Sequence, residues 1–319
     1  MFHGNVSPEI AQGLLELGKR IAAAKIPPSA LDKSITLATW NVRDFGKGNR
    51  LDASLHYIAE VIGQFDLVAV VEVRENLGDL EKVMGYLGPY WRAVFSDAVT
   101  DDAGNYERVA YLYDKRAVTF TGLAAEATPP RVREGTEYVS AINWWRPPYM
   151  ASFRAGNFDF VLLTAHIRWG KSGAERLGEL QLMADWVAAR AKSKYIEDKD
   201  ILVMGDFNIP SLASPLYKAL TSRDLMMPAA LAGVHGTDLA KNKRYDQILH
   251  YSATPQVTFS TNGGALDFAA GGWEGLYPGP TTKPVDYTHQ MSDHLPLWIE
   301  VWTDLQEQQL HQILNRSKE

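Results

Sequence analysis

The stretch ILVMGDFNIP, Ile201 to Pro210, runs four apolar residues into Gly205 and then into Asp206, Phe207 and Asn208. That pattern predicts a buried strand ending at a polar rim. Extended geometry there aims the Asp206 carboxylate and the Asn208 carboxamide one way and the Phe207 ring the other, into the fold. Such a pair can bind a hard cation and the oxygen of a bound substrate. Gly, Asp, Asn and Pro also furnish ordinary strand exits, so the stretch alone leaves a plain turn open.

The same grammar recurs on both sides of it. SITLATWNVRDFG predicts a strand over Ile35 to Trp40 whose rim carries Asn41 and Arg43, and FDLVAVVEV, Phe65 to Val73, predicts another with Glu72 inside it. A carboxylate in so apolar a run costs several kcal/mol of desolvation unless it is paired, and either a metal or Arg74 can pair it. NFDFVLLTAHIRWG ends at His166, KNKRYDQILHYS places Asp246 at a strand mouth after Lys241, Lys243 and Arg244, and SDHLPLWIEVW sets Asp293 and His294 just before a strand over Leu297 to Trp302. Six polar strand mouths are better explained by one shared site than by independent turns.

Helices fill the spaces between these strands. Ser7 and Pro8 open one with Ile10, Leu14, Leu17 and Ile21 on a face, and Leu51, Leu55, Ile58 and Ile62 follow a helical period. Leu77 to Leu87 reads as a third helix, and Leu177, Leu180, Ala184, Val187 and Ala188 mark the buried face of a fourth. YWRAVFSD, NYERVAYLYD and AVTFTG predict successive antiparallel strands, with turns at Asp101 to Asn105 and at Asp114 and Lys115. Thr128 to Pro148, with Arg131, Arg133, Trp144, Trp145 and Arg146, reads as an irregular basic, aromatic insertion suited to a polyanion or a base stack, or simply packed on itself. Asn262 to Asp286, rich in Gly and Pro, reads as a surface loop, and the Gln-rich tail from Asp304 reads as helical.

Bulk composition narrows the class. With 319 residues, 46% hydrophobic and 22% charged, and no repeat or low-complexity linker, one large soluble domain is expected, and no apolar run reaches the roughly 20 residues of a membrane span. The absence of cysteine removes thiolate metal sites and cysteine nucleophiles, so any metal must be held by oxygen or imidazole. No basic segment followed by an apolar core opens the chain, which with the lack of cysteine favours a cytoplasmic over a secreted setting. A formal charge of -6 argues against a generally basic nucleic-acid scaffold, though local basic patches can still grip phosphate. Oligomeric state has no signature in the sequence.

TWNVRDFG, VVEVREN, NYERVAYLYD, LLTAHIRWG, MGDFNIP, RYDQILH and SDHLPLWIEV, in that order, resemble the endonuclease/exonuclease/phosphatase superfamily, and within it the deoxyribonuclease I-like branch. The resemblance implies an α/β fold, a four-layer sandwich of two packed mixed β-sheets flanked by helices, over residues 35–302. Residues 1–34 are then an N-terminal helical extension and 303–319 a C-terminal helical tail. It also implies Asn41, Glu72, Asp206 and Asp293 at a Mg²⁺ site that also accepts Mn²⁺, and Asn208 orienting a phosphate. His166 with Glu107 and His294 with Asp246 are implied as the proton-transfer pairs, and Arg43, Arg74, Tyr106 and Arg146 as substrate contacts.

The expected activity is metal-dependent phosphodiester hydrolysis, with DNA cut as by an endonuclease of low sequence specificity. Arg74 and the Tyr106-Glu107-Arg108 group resemble the deoxyribonuclease branch, and Arg43 stands where abasic-site enzymes carry an acid. Arg146 before Pro147 and Pro148 resembles a phosphate-contacting arginine. The tyrosine that stacks on sugar matches Tyr106 only with a one-residue offset. A phosphatase or phospholipid phosphodiesterase is the alternative if Asn262 to Asp286 forms an apolar lid, and a non-catalytic DNA- or partner-binding module using the 131–146 loop is the other.

Overall fold

The computed structural model describes the chain except residues 32, 100–104, 141, 171, 197, 252–257, 279–285, 305–309 and 311–319. In chain order its elements are α1 (Pro8–Ala23), β1 (Ser34–Phe45), α2 (Asp52–Ile62), β2 (Leu67–Val73), α3 (Gly78–Leu87), β3 (Trp91–Phe95), β4 (Arg108–Asp114) and β5 (Thr119–Glu126). A small hairpin of β6 (Val132–Glu134) and β7 (Glu137–Val139) precedes β8 (Tyr149–Ala155), β9 (Phe158–His166), α4 (Gly173–Ala191), β10 (Ile201–Asp206) and α5 (Pro215–Leu220). Then come β11 (Leu225–Met226), β12 (Asp246–Tyr251), β13 (Thr258–Ala265), α6 (Tyr287–Gln290) and β14 (Leu297–Trp302).

Two six-stranded sheets, ordered β13-β14-β1-β2-β4-β3 and β11-β12-β10-β9-β8-β5, pack face to face. Each is mixed in the same way. The parallel pair β1 and β2 is joined through α2, the parallel pair β9 and β10 through α4, and antiparallel strands complete both sheets. Strand periodicity explains why the apolar runs are nearly continuous. Leu67, Ala69 and Val71 of β2 face the core between the sheets while Val68 and Val70 face the outer core beneath α1 to α3. In β10, Leu202 and Met204 point between the sheets, and Ile201 and Val203 point to α4 and α5. A strand covered on both faces has no side free for polar residues until it ends. The result is the four-layer α/β sandwich expected from the sequence.

Several local expectations need correction. β1 runs past Trp40 to Phe45, so Asn41 and Arg43 lie within the strand, not at a turn beyond it. β5 is not the neighbour of β4: it crosses to the second sheet and pairs with β8. On α4 Leu177 is 41% exposed and Arg176 is buried instead, its guanidinium 4.4 Å from the Trp169 ring centre. The 128–148 insertion contains the β6–β7 hairpin, and Trp144 sits in the core under α4. Nor are residues 262–278 a surface loop: they begin in β13, and Leu266, Phe268 and Leu276 are fully buried beside α1 and α2. Residues 279–285 of the expected Asn262 to Asp286 loop lie outside the described residues. Residues 101–104 of the expected turn, and nearly all of the C-terminal tail, lie outside the described residues.

Candidate active site

At one edge of the sandwich the ends of β1, β2, β9 and β10 and the turn before β14 open into a cleft of about 770 Å³. Asn41, Glu72, His166, Asp206, Asn208, Asp293 and His294 all line it, so residues far apart in sequence do converge. Two devices in the backbone aim them. The β1–β2 register shifts after Asn41, and Glu72 adopts a left-handed φ of 62°. A bulge of this kind re-aims a side chain, and here it turns the Glu72 carboxylate out of the apolar run toward the cleft. In ILVMGDFNIP, Gly205 has φ +140°, and a Cβ there would stand 2.1 Å from the Ala165 carbonyl oxygen. Only glycine lets β10 come so close to β9 beside Asp206. Asn208 then adopts φ 52°, beyond the strand end, and Phe207 is buried in the α4 core as expected.

Hydrogen bonding ties these groups into one network. The Asn41 Nδ2 donates to Glu72 Oε1 at 2.9 Å and to Asp206 Oδ2 at 3.1 Å, linking one sheet to the other. The second Glu72 oxygen accepts the Asp44 backbone N–H at 2.8 Å. Arg74 does not neutralise Glu72: it pairs with Asp44 and lies 3.7 Å from Glu107. His166 Nδ1 donates to Glu107 Oε2 at 2.6 Å, and His294 Nδ1 donates to Asp246 Oδ2 at 2.8 Å. The two Nε2 atoms then approach the same oxygen, Asp206 Oδ2, at 3.6 and 3.7 Å. Glu107 and Asp246 stand behind the imidazoles, both buried and neither lining the cleft.

Charge compensation sets the protonation states. Burial alone would raise Glu107, but the His166 imidazole and the Arg146 guanidinium outweigh it and hold the carboxyl at about 2. Burial would likewise lower His166, yet Glu107 and Asp206 drive it upward. His294, against the same burial, is raised to about 10 by Asp246 and Asp206. Asn208 Nδ2 donates to the Ile167 carbonyl at 2.7 Å, which leaves its second N–H for a ligand. One more atom stands out: Asn41 Oδ1 is buried and has no hydrogen-bond partner among the described residues. An orphaned amide oxygen beside two carboxylates is a donor set of the kind a hard divalent cation takes. The residues present therefore fit such an ion.

The substrate contacts expected from sequence divide. Arg146 lines the cleft and bonds Glu107 at 3.1 Å, and Arg74 lines it as well. Arg43 lines it while held by Thr288 and by Asp286 at 3.5 Å. Tyr106 does not join them. It takes a left-handed φ of 51° and is 45% exposed, and it is Asn105 that lines the cleft, while Glu107 turns inward. Sequence reading also passed over Asp44, Lys47, Arg168, Trp169 and Tyr245, which complete the lining. Lys47, Arg168, Trp169 and Tyr245 sit in connections without periodicity, and Asp44 lies near the end of β1; the one cue was the Arg-Trp pair just after His166.

Paired mixed sheets whose strand ends feed one acid- and imidazole-lined cleft define a deoxyribonuclease I-like α/β sandwich. A model described as the Endonuclease/Exonuclease/phosphatase family matches residues 38–294, and the chain belongs to that family. It is 28% identical over 191 residues to a protein named deoxyribonuclease from Thioalkalivibrio sp. (strain K90mix), a match covering 57% of this chain and 48% of that one. The chain thus matches about half the length of that relative. An endonuclease/exonuclease/phosphatase family protein from Bacteroides thetaiotaomicron superposes with a TM-score of 0.58 at 17% identity, over 86% of this chain and 99% of that one. TDP2 from D. rerio, solved with a single-stranded DNA product, gives 0.54 at 16% identity, over 84% and 98%. These two likenesses establish the fold. The carboxylate–imidazole cluster gives this family member a candidate metal site.

Proposed function

We propose that the protein is a Mg²⁺- or Mn²⁺-dependent phosphodiesterase that hydrolyses DNA as an endonuclease of low sequence specificity. The observation that carries this reading is the convergence of two imidazole–carboxylate pairs on Asp206 in a cleft rimmed by Arg43, Lys47, Arg74, Arg146 and Arg168. A cationic rim draws in a polyanion, and paired imidazoles at its floor serve proton transfer to and from a phosphodiester. The deoxyribonuclease name of the Thioalkalivibrio relative supports the choice of DNA.

Asn41, Glu72, Asp206 and Asp293 would hold the cation. When bound, it neutralises the phosphate anion and the charge that builds on its oxygens during attack. The chain's own groups do the rest. The free N–H of Asn208 positions a phosphate oxygen. With Nδ1–H committed to its carboxylate, each imidazole meets substrate through Nε2. One Nε2 takes a proton from the attacking water, and the other delivers a proton to the oxygen that leaves phosphorus. The P–O bond to the sugar breaks as the bond from water forms, and one strand yields two ends.

A plasmid-nicking assay tests the reading. Supercoiled DNA should become open-circular with Mg²⁺ or Mn²⁺ and remain intact after EDTA treatment. Nicking that persists in EDTA, or no cleavage of any DNA while inositol phosphates or sphingomyelin are turned over, would refute it.

A further inference from the structure

Beside the cleft lies a second cavity of about 430 Å³, bounded by Ile142, Asn143, Trp145, Arg168, Glu175 and Glu179. Trp145, Arg168 and Gly170 line both cavities, so the two adjoin. The Arg168 guanidinium lies 3.8 Å from the Trp145 ring centre and forms the partition. That wall is well anchored. The Glu179 carbonyl accepts the Trp144 indole N–H at 3.1 Å, and its carboxylate accepts the Trp145 backbone N–H at 3.2 Å. Gly178 of α4 completes the lining, and a Cβ placed there meets nothing within 4 Å, so the pocket reaches bare helix backbone.

The chemistry of this pocket differs from that of the cleft. Arginines around the cleft suit phosphate, whereas in the side pocket two carboxylates, Glu175 and Glu179, outnumber the one guanidinium, Arg168, among the described residues. An indole with its guanidinium suits a flat, uncharged ring, and carboxylate oxygens accept N–H donors. A nucleobase with an exocyclic amino group offers both, and Glu accepting from cytosine N4 is a familiar pairing. A base inside a duplex is stacked and paired, so only an unpaired or extruded base can reach a pocket set to one side. The volume lies within the range of small-ligand sites.

We propose that the pocket between the Trp145–Arg168 pair and α4 holds one unstacked nucleobase of the substrate strand. The enzyme accordingly acts on single-stranded or locally opened DNA and favours an amino-bearing base at that position. The inference rests on the phosphodiesterase reading above and names the form of its substrate.

The test fills the pocket. Gly178→Leu projects a side chain into open space on a helix, and Gly178→Ala adds one methyl as a control. The readout is the ratio of kcat/KM for a cytosine-containing single strand to kcat/KM for bis(p-nitrophenyl) phosphate, which has no base to place. Gly178→Leu should lower that ratio about tenfold, the scale of one lost base–aromatic stack, with Gly178→Ala near wild type. Wild type should cut the cytosine strand faster than an all-thymine strand and faster than duplex. An unchanged ratio in Gly178→Leu, or equal cutting of cytosine and thymine strands, would overturn the proposal while the nuclease reading stands. Wild-type protein that hydrolyses small diesters but no nucleic acid would remove that reading first. Should Gly178→Leu not fold, Glu179→Gln keeps an acceptor for the Trp145 N–H and should still weaken the cytosine preference; an unaltered preference there also overturns the proposal.

Discussion

His166 and His294 reach the cleft with 11% side-chain exposure each, and each holds a buried carboxylate behind it. His166→Ala and His294→Ala should each lower kcat by roughly 10² to 10⁴-fold, and His294→Ala should also melt earlier than wild type below pH 10, because it leaves the buried Asp246 carboxylate without its imidazole partner. A far-UV spectrum with a matched melt separates lost chemistry from lost fold. Glu107→Gln keeps a hydrogen bond to His166 but withdraws the charge that raises it, so whichever limb of the pH–rate profile His166 sets should move to lower pH. At this scale much of the cluster was legible, since Asn41, His166, Asp206, Asp246 and His294 each terminate or precede an apolar run. Glu72 was legible as an anomaly but not in its pairing, because the bulge that turns it toward Asn41 leaves no mark on the hydrophobic pattern. Trp145, Arg168 and Trp169 were not assigned to the cleft because loop residues carry no period.

Strands set the site by ending at one level, and the most demanding point is where β9 and β10 touch. Gly205→Ala should destabilise the protein by about 1–3 kcal/mol, because a methyl would press on the Ala165 carbonyl and the backbone would be strained. Chemical denaturation would read that loss, and activity should fall with it as Asp206 shifts. Element type and order were readable from alternation and from Ser-Pro starts such as Ser7, whose hydroxyl accepts the Ile10 N–H at 3.3 Å. Sheet membership was less so. Nothing in AVTFTG itself signals that β5 leaves its sequence neighbour for the other sheet, where it pairs with β8, although β2 and β3 already flank β4. The glycines of β13 hid a strand for a related reason: Gly263 packs under Ile299, where a Cβ would stand 2.8 Å from its terminal carbon, so a small residue there marks close packing and not a loop.

For the whole molecule, the acid cluster predicts that ions and protons govern stability together. Glu72 and Asp206 approach each other with one amide between them, so Mg²⁺ should raise the melting temperature of wild type and do so much less for Asp206→Asn. Differential scanning calorimetry against Mg²⁺ concentration would show it. In metal-free protein Glu107 is held at about 2 against an ordinary 4.5, so its contribution is present above 4.5 and lost as pH falls through 2. His294, raised from 6.5 to about 10, works in the other direction: its contribution is complete below 6.5 and lost as pH rises through 10. Melts of wild type against Glu107→Gln should therefore converge toward pH 2, and those against His294→Gln toward pH 10 and above.

The Asn41 carboxamide spans from Glu72 in one sheet to Asp206 in the other, directly over the layer where the two sheets meet. A shift of one half against its mate would therefore change the spacing between Glu72 and Asp206. The carboxamide is one of several ties between the halves, since the Tyr111 hydroxyl also donates across them to the Tyr149 and Leu162 carbonyls. Asn41→Ala should loosen that alignment, and hydrogen exchange should quicken along the facing ends of β1 and β10 before it quickens anywhere under the helices.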